Sequence, residues 1–183
     1  MEDRFTRLAG EAGPRLLAYL VRRVEAPVDA ADLVSEVFTV AWRRAGELPA
    51  DDSDATGWLF GVARGVLANH RRASGRRTAL LERLREQVRA TQAHSTDTGT
   101  TVRAALARLR PADRELLTLQ AWEELSTEQI AVAMAISPAA VRQRLHRARE
   151  RLRAELDRTG GKGVAVPSGL CEGEGHASAD PAQ

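Results

Sequence analysis

Along the N-terminal part of the chain, apolar residues recur at three- and four-residue spacing, interrupted by prolines and short polar stretches. Phe5, Leu8, Ala9 and Ala12 form a first run. After Pro14 the pattern resumes with Leu16, Leu17, Leu20, Val21 and Val24, and Pro27 ends it. Asp29 or Asp32 can cap the next helix, whose wide apolar face is Leu33, Val34, Val37, Phe38, Ala41 and Trp42. The polar stretch GELPADDSDATG follows, and Asp54 or Thr56 then starts a helix that turns Leu59, Val62, Ala63, Val66 and Leu67 inward. Between Arg76 and Thr100 the regularity lapses. GRRTALLERLREQ suits a short helix, and ATQAHSTDTGT reads as a polar linker. A helical pattern returns near Val102 and runs to about Arg158. The Gly-, Ala- and Ser-rich segment beyond it cannot bury enough surface to fold alone. The expected fold is all-α. Two small helical domains, 1–77 and 101–158, are joined by a flexible linker over 78–100, the second domain has four helices, and a disordered tail occupies 159–183.

Within the second block, LSTEQIAVAMAISPAAVRQRLHRARERL carries a sharper signal. Ser126 or Thr127 can cap a helix, and Gln129 stands where a capping box needs it. Ile130, Ala131 and Met134 give that helix an apolar side. A three-residue turn, Ala135-Ile136-Ser137, leads to a second helix with Ser137 as N-cap and Pro138 at its first position. Val141, Leu145, Ala148 and Leu152 mark its buried stripe. Two helices joined in this way form a helix-turn-helix. Arg142, Gln143, His146, Arg147, Glu150 and Arg153 lie off the stripe. The first of these sit near the helix N-terminus, the end that enters a major groove. Arg suits guanine O6/N7 and Gln suits adenine N6/N7. Arg144, Arg149 and Arg151 are better placed for phosphates or surface pairs.

Composition narrows the picture further. Aromatic residues make up only 4 % of the chain, so its cores must be built from Leu, Val and Ala, which favours helix over sheet. The formal net charge is +2, yet Lys162 is the sole lysine and arginine supplies the rest of the basic side. Cys171 is the one cysteine, which excludes an intrachain disulfide or a thiolate metal cluster and fits a cytoplasmic protein. MEDRFTRLAGEAG has no apolar h-region, and no apolar run reaches membrane-spanning length. Metal-ligand clusters, a Gly-rich phosphate loop and a nucleophile elbow are all missing from the sequence, and His70, His94, His146 and His176 are scattered, so an enzyme is disfavoured.

NHRRASGRR places His70, Arg71, Arg72, Arg76 and Arg77 at the end of an apolar helix. These cations either complement the helix macrodipole or form a phosphate patch. Gly57, Gly61 and Gly65 fall at four-residue spacing, which predicts close packing of another helix against that face.

Taken in order, DAADLVSEVFTVAWRR, TGWLFGVARGVLANHRR, LARLRPADRELLTLQ and the helix-turn-helix resemble bacterial sigma factors of the extracytoplasmic-function group. The resemblance spans roughly Phe5 to Leu156. It implies a non-enzymatic subunit of RNA polymerase without cofactor or metal. The first domain would dock on the clamp helices of the largest catalytic subunit of core polymerase and capture the melted minus-ten strand. The second would read the minus-thirty-five element of promoter DNA as duplex. By position, Asp32, Glu36, Phe38 and Trp42 match the docking helix, and Trp58, Asn69, Arg71 and Arg72 match the segment that handles the melted strand. The loop from Gly46 to Gly57 matches the one that selects a flipped-out base. Arg142, Gln143, His146 and Arg147, with Ser137 and Arg144 beside them, match the duplex-reading positions. The chain departs from the family pattern at Ser35, where a long polar residue is usual, at Gly65, where Asn is usual, and at Ala135, where Gly is common. The family also implies an anti-sigma partner, a monomer when free of partners, and no membrane insertion. The alternative is a helix-turn-helix regulator that binds duplex without polymerase. An RNA-binding module fits less well, because stacking aromatics are few.

Overall fold

The computed structural model describes residues 2–24, 26–85 and 100–158, and the side chains of 2–24, 26–74 and 102–158. Its elements are α1 (Glu2–Val21), α2 (Pro27–Arg43), a short 3-10 turn (Ala45–Glu47), α3 (Asp52–Arg85), α4 (Thr100–Arg108), α5 (Pro111–Ala121), α6 (Thr127–Met134) and α7 (Pro138–Arg158). Among the described residues the fold is wholly helical, as the apolar spacing predicts. Residues 86–99 and 159–183, which include most of the expected linker and all of the expected tail, lie outside the described residues.

Four local expectations are revised. Pro14 does not break the first helix, since α1 runs through it. A proline inside a helix costs ~3 kcal/mol. Here one stripe is buried on both sides of it, Phe5, Leu8 and Ala12 before and Leu16, Tyr19 and Leu20 after, and that burial outweighs the lost hydrogen bond. The second revision is at α2, where no side chain caps the N-terminus. Pro27 occupies the first turn after Ala26, and Asp29 lies inside the helix. At α3 the capping carboxylate is that of Asp51, which accepts from the Asp54 N–H at 3.0 Å. Finally, α3 does not end within NHRRASGRR but continues to Arg85, so GRRTALLER extends this helix and is not a separate one.

The chain forms two compact units. The first contains α1, α2, the 3-10 turn, α3, α6 and the first residues of α7. Its core joins the α1 stripe to Leu33, Val37 and Ala41 of α2 and to Leu59, Phe60, Ala63 and Leu67 of α3, all buried. Tyr19 meets Phe60 edge-on, with ring centroids 5.5 Å apart. α6 lies directly on α3. A Cβ on Gly57 would stand 2.5 Å from the Gln129 carbonyl oxygen, and one on Gly61 would stand 3.2 Å from that of Ala133. Two of the three spaced glycines therefore serve close packing, as expected. Gly65 does not, since nothing lies within 4 Å of its missing Cβ. Arg64 Nη1 donates to the Ala133 carbonyl at 2.6 Å, placing a cation at the C-terminal end of α6.

The second unit contains α4, α5 and α7 from Arg142 onward. Ala105, Leu106, Leu109, Leu116, Leu117, Leu119, Leu145, Ala148, Leu152 and Leu156 are its buried apolar residues. Polar struts tie α5 to α7. Arg151 donates to the nearly buried Asp113 at 2.6 Å, and Arg149 donates to Gln120 at 2.7 Å.

Candidate nucleic-acid interface

The turn before α7 is built as its residues require. Ser126 and Gln129 form the reciprocal capping box on α6, with bonds of 3.1 and 2.9 Å. α6 ends at Ala135, which adopts a left-handed backbone with φ 53°. For a residue with a Cβ this conformation costs about 1 kcal/mol. Ser137 Oγ then accepts from the Ala140 N–H at 3.2 Å, and Pro138 opens α7. The N-terminus of α7 is thus fixed in direction before the first of its exposed arginines is reached.

From that start, Val141, Leu145, Ala148 and Leu152 are all buried. Arg142, Gln143, Arg144, His146 and Arg147 are all exposed. At 100° per residue, Arg142, Gln143, His146 and Arg147 share a sector of about 140° opposite the buried stripe. Arg144 falls outside that sector, on the flank of the stripe. The His146 ring lies 3.4 Å from the Glu150 carboxylate, one turn on. Arg149 and Arg151, open at the sequence level to phosphate contacts or surface pairs, are occupied as struts to α5.

On α3, Trp58, Gly65, Asn69 and Arg72 lie within about 60° of one another around the helix axis, a strip roughly 21 Å long. Asn69 and Arg72 are exposed and hydrogen-bonded to each other. Gly65 leaves the middle of the strip open down to the backbone. Arg71 is not part of it. This residue points to another face and donates to the Arg23 carbonyl at 3.1 Å, tying α3 to the end of α1. The side chains of Arg76 and Arg77 lie outside those described.

The four residues assigned to docking on α2 separate into two pairs. Asp32 and Glu36 are exposed, one turn apart. Phe38 and Trp42 lie on another face, packed edge-on against Phe5 with ring centroids 6.5 and 5.2 Å apart. Trp42 nevertheless stays 48 % exposed. Beside the acidic pair stands Val28, 76 % exposed, which the sequence reading did not single out. Ser35 and Thr39 turn their hydroxyls onto carbonyls of their own helix, at 3.2 and 2.9 Å.

The sequence reading also missed the fastening of the loop between α2 and α3. Arg44 pairs with Glu47 through bonds of 3.0 and 2.6 Å, and these hold the Glu47 carboxyl below its ordinary range. The same guanidinium lies 5.8 Å from the centroid of the Trp58 ring. At the far end of the loop, Asp52 takes hydrogen bonds from Arg7 and Arg4, which lower its pKa.

The chain is similar in sequence and fold to known proteins. A family model described as Sigma-70 region 2 matches residues 8–77, and one described as Sigma-70, region 4 matches residues 100–152. The RNA polymerase sigma-E factor of Streptomyces avermitilis is 34 % identical over 146 residues, covering 78 % of this chain and 79 % of that protein. The ECF RNA polymerase sigma factor BldN of Streptomyces coelicolor is 28 % identical over 154 residues, covering 80 % of this chain and 58 % of that longer protein. Among solved structures, the sigma factor RpoE of Bartonella quintana, crystallised with the anti-sigma factor NepR, aligns over 86 % of this chain and 98 % of its own, with TM-score 0.60 and 22 % identity.

Proposed function

The chain belongs to the RNA polymerase sigma factor family, in its extracytoplasmic-function group, and on that premise we propose that it is an alternative sigma factor that binds core polymerase and directs promoter-specific initiation. It has no catalytic step of its own. The work is recognition, divided between a first region over 1–77 and a second over 101–158.

The observation that carries this reading is the exposed face of α7. Arg142, Gln143, His146 and Arg147 stand free of the buried stripe on a helix whose N-terminus is capped and aimed by a strained turn. Inserted in a major groove, they read the minus-thirty-five duplex, while Ser137 and Arg144 meet backbone phosphates. A bidentate base contact is worth about 1–3 kcal/mol of discrimination. On α3, the strip of Trp58, Asn69 and Arg72 takes the melted minus-ten strand, with Trp58 as stacking surface. Gly65 lets the strand approach the helix backbone where a larger residue would hold it off. The loop from Gly46 to Gly57 receives a flipped-out base, and its contacts must offset a flipping cost of a few kcal/mol. Asp32 and Glu36 face the clamp helices of the polymerase, with Val28 as an apolar neighbour and Trp42 at the flank.

The Bartonella quintana relative is held by an anti-sigma protein, and an inhibitor of that class is the expected regulator here. Among the described residues no helix is long and apolar enough to cross a membrane. The test is reconstitution. Purified chain should co-elute with core polymerase and start transcripts from a subset of a randomised promoter library. If it binds duplex tightly yet neither co-elutes with core nor starts transcripts, the chain works as a helix-turn-helix regulator without polymerase.

A further inference from the structure

We propose that Arg4 and Arg7 are positioning residues that hold the base-selecting loop in its capture shape, and so set the chain's selectivity at the flipped-out base of the minus-ten element. This rests on the reading of that loop given above.

The loop leaves the 3-10 turn at Leu48 and enters α3 at Asp52. Its carbonyls at Pro49 and Ala50 lie outside any helix. Arg4 Nη2 sits 2.7 Å from the Pro49 oxygen, 2.7 Å from the Ala50 oxygen and 2.9 Å from Asp52 Oδ1. Its Nε donates to the same Asp52 oxygen at 3.1 Å. Arg7, one turn along α1, donates to the other oxygen, Oδ2, at 2.6 Å. Two guanidiniums therefore grip one carboxylate, and one of them also gathers the two carbonyls before it. A lysine at position 4 could not do this, because it lacks the planar fork.

Phe5, between the two arginines, anchors the same turn of α1 onto Trp42 and Phe38 at the end of α2. The first turn of α1 thus bears on the helix before the loop and on the carboxylate after it.

Exposed ion pairs contribute little to global stability, and the side chains of Asp52 and Arg7 are about half exposed. The clamp matters for another reason. A loop that is already ordered loses no conformational freedom when it captures a base, whereas a loose loop loses that freedom on capture and accepts different bases more evenly. The effect should therefore appear in selectivity rather than in melting temperature.

The experiment uses the full chain with core polymerase on a promoter library randomised across the minus-ten element, with transcripts counted by sequencing. Arg4→Ala should compress the preference at the flipped position by about tenfold, as expected for losing several charge-assisted hydrogen bonds. Arg4→Lys should give an intermediate loss, and Arg7→Ala a smaller one. Preference at the minus-thirty-five element and affinity for core should not change. A second arm replaces Leu48, Pro49 and Ala50 with glycine. If that variant loses selectivity while Arg4→Ala and Arg7→Ala keep it, the clamp is overturned and the loop reading stands. If the glycine loop keeps the wild-type preference, the loop does not read a base and both fall. Loss of selectivity in both arms, with core affinity intact, supports the clamp.

Discussion

Adding one methyl group at each of the three spaced glycines of α3 should give three different results. At Gly57 the new Cβ would lie 2.5 Å from the Gln129 oxygen and 2.9 Å from its Cα. The oxygen would be about 1 Å too close for ordinary contact. Backbone stands on both sides of the clash, so no side chain can rotate away. Overpacking of this kind costs about 1–3 kcal/mol. Replacing glycine by alanine in a helix returns about 1 kcal/mol. The packing penalty wins, and Gly57→Ala should lose up to ~2 kcal/mol. At Gly61 the approach is 3.2 Å, so a shift of a few tenths of an ångström relieves it and the two effects nearly cancel. At Gly65 nothing lies within 4 Å, and only the helix gain of about 0.5–1 kcal/mol remains. Urea denaturation of the three variants should therefore rank Gly65→Ala above wild type, Gly61→Ala beside it and Gly57→Ala below. Amide exchange should quicken in α6 for Gly57→Ala alone. A Gly57→Ala protein as stable as wild type, with unaltered exchange in α6, would refute the packing of α6 on α3.

Replacing Asp32 and Glu36 together by Arg should abolish co-elution with core polymerase while leaving the circular dichroism spectrum unchanged, because both residues are exposed; wild-type recovery would remove α2 from the docking surface. Arg142→Ala should weaken binding to cognate minus-thirty-five duplex by about 1–3 kcal/mol and to scrambled duplex much less, and equal losses across a salt series would mean backbone contact only. Arg151→Ala should instead lower stability by about 1–2 kcal/mol, since it strips a charged hydrogen bond from the nearly buried Asp113, and should leave the salt dependence of DNA binding unchanged. The Asp52 carboxyl, held down first by the hydrogen bond from Arg7 and then by that from Arg4, should titrate below the unperturbed value of about 3.9 when followed by carbon NMR. Its pairing is fully present above that value and is lost as pH falls through the depressed folded pKa, so a midpoint at the ordinary value would show that the two guanidiniums are not seated.

The parts of this molecule that could be read from sequence are those whose causes are local. A buried stripe repeats every three to four residues, so Val141, Leu145, Ala148 and Leu152, or Leu59, Val62, Ala63, Val66 and Leu67, could be assigned to a core without knowing what they pack against. Caps and turns act over three or four positions, and the Ser126–Gln129 box, the Ser137 cap and the turn through Ala135 are where the sequence puts them, although the caps expected for α2 and α3 are not. The larger failures come where a second segment decides. Pro14 looks like a break until the stripe on both sides of it is buried together. Phe38 and Trp42 belong to the apolar face of α2 in the sequence, but only the fold shows that Phe5 is what takes one side of each. Arg71 and Arg72 are adjacent and chemically identical, yet the helix turns one toward the carbonyl of Arg23 and leaves the other on the exposed strip. The Arg4–Asp52 contact spans 48 positions and leaves no periodic trace at either end. Two arginines three residues apart near the start of an amphipathic helix are indistinguishable from ordinary solvated charge. Only the fold of α1 against α2 and α3 brings a carboxylate and two loop carbonyls within their reach. The exposed face of α7 was legible because one helix supplies all of it, while the setting of the α2–α3 loop depends on α1, which lies far from it in sequence.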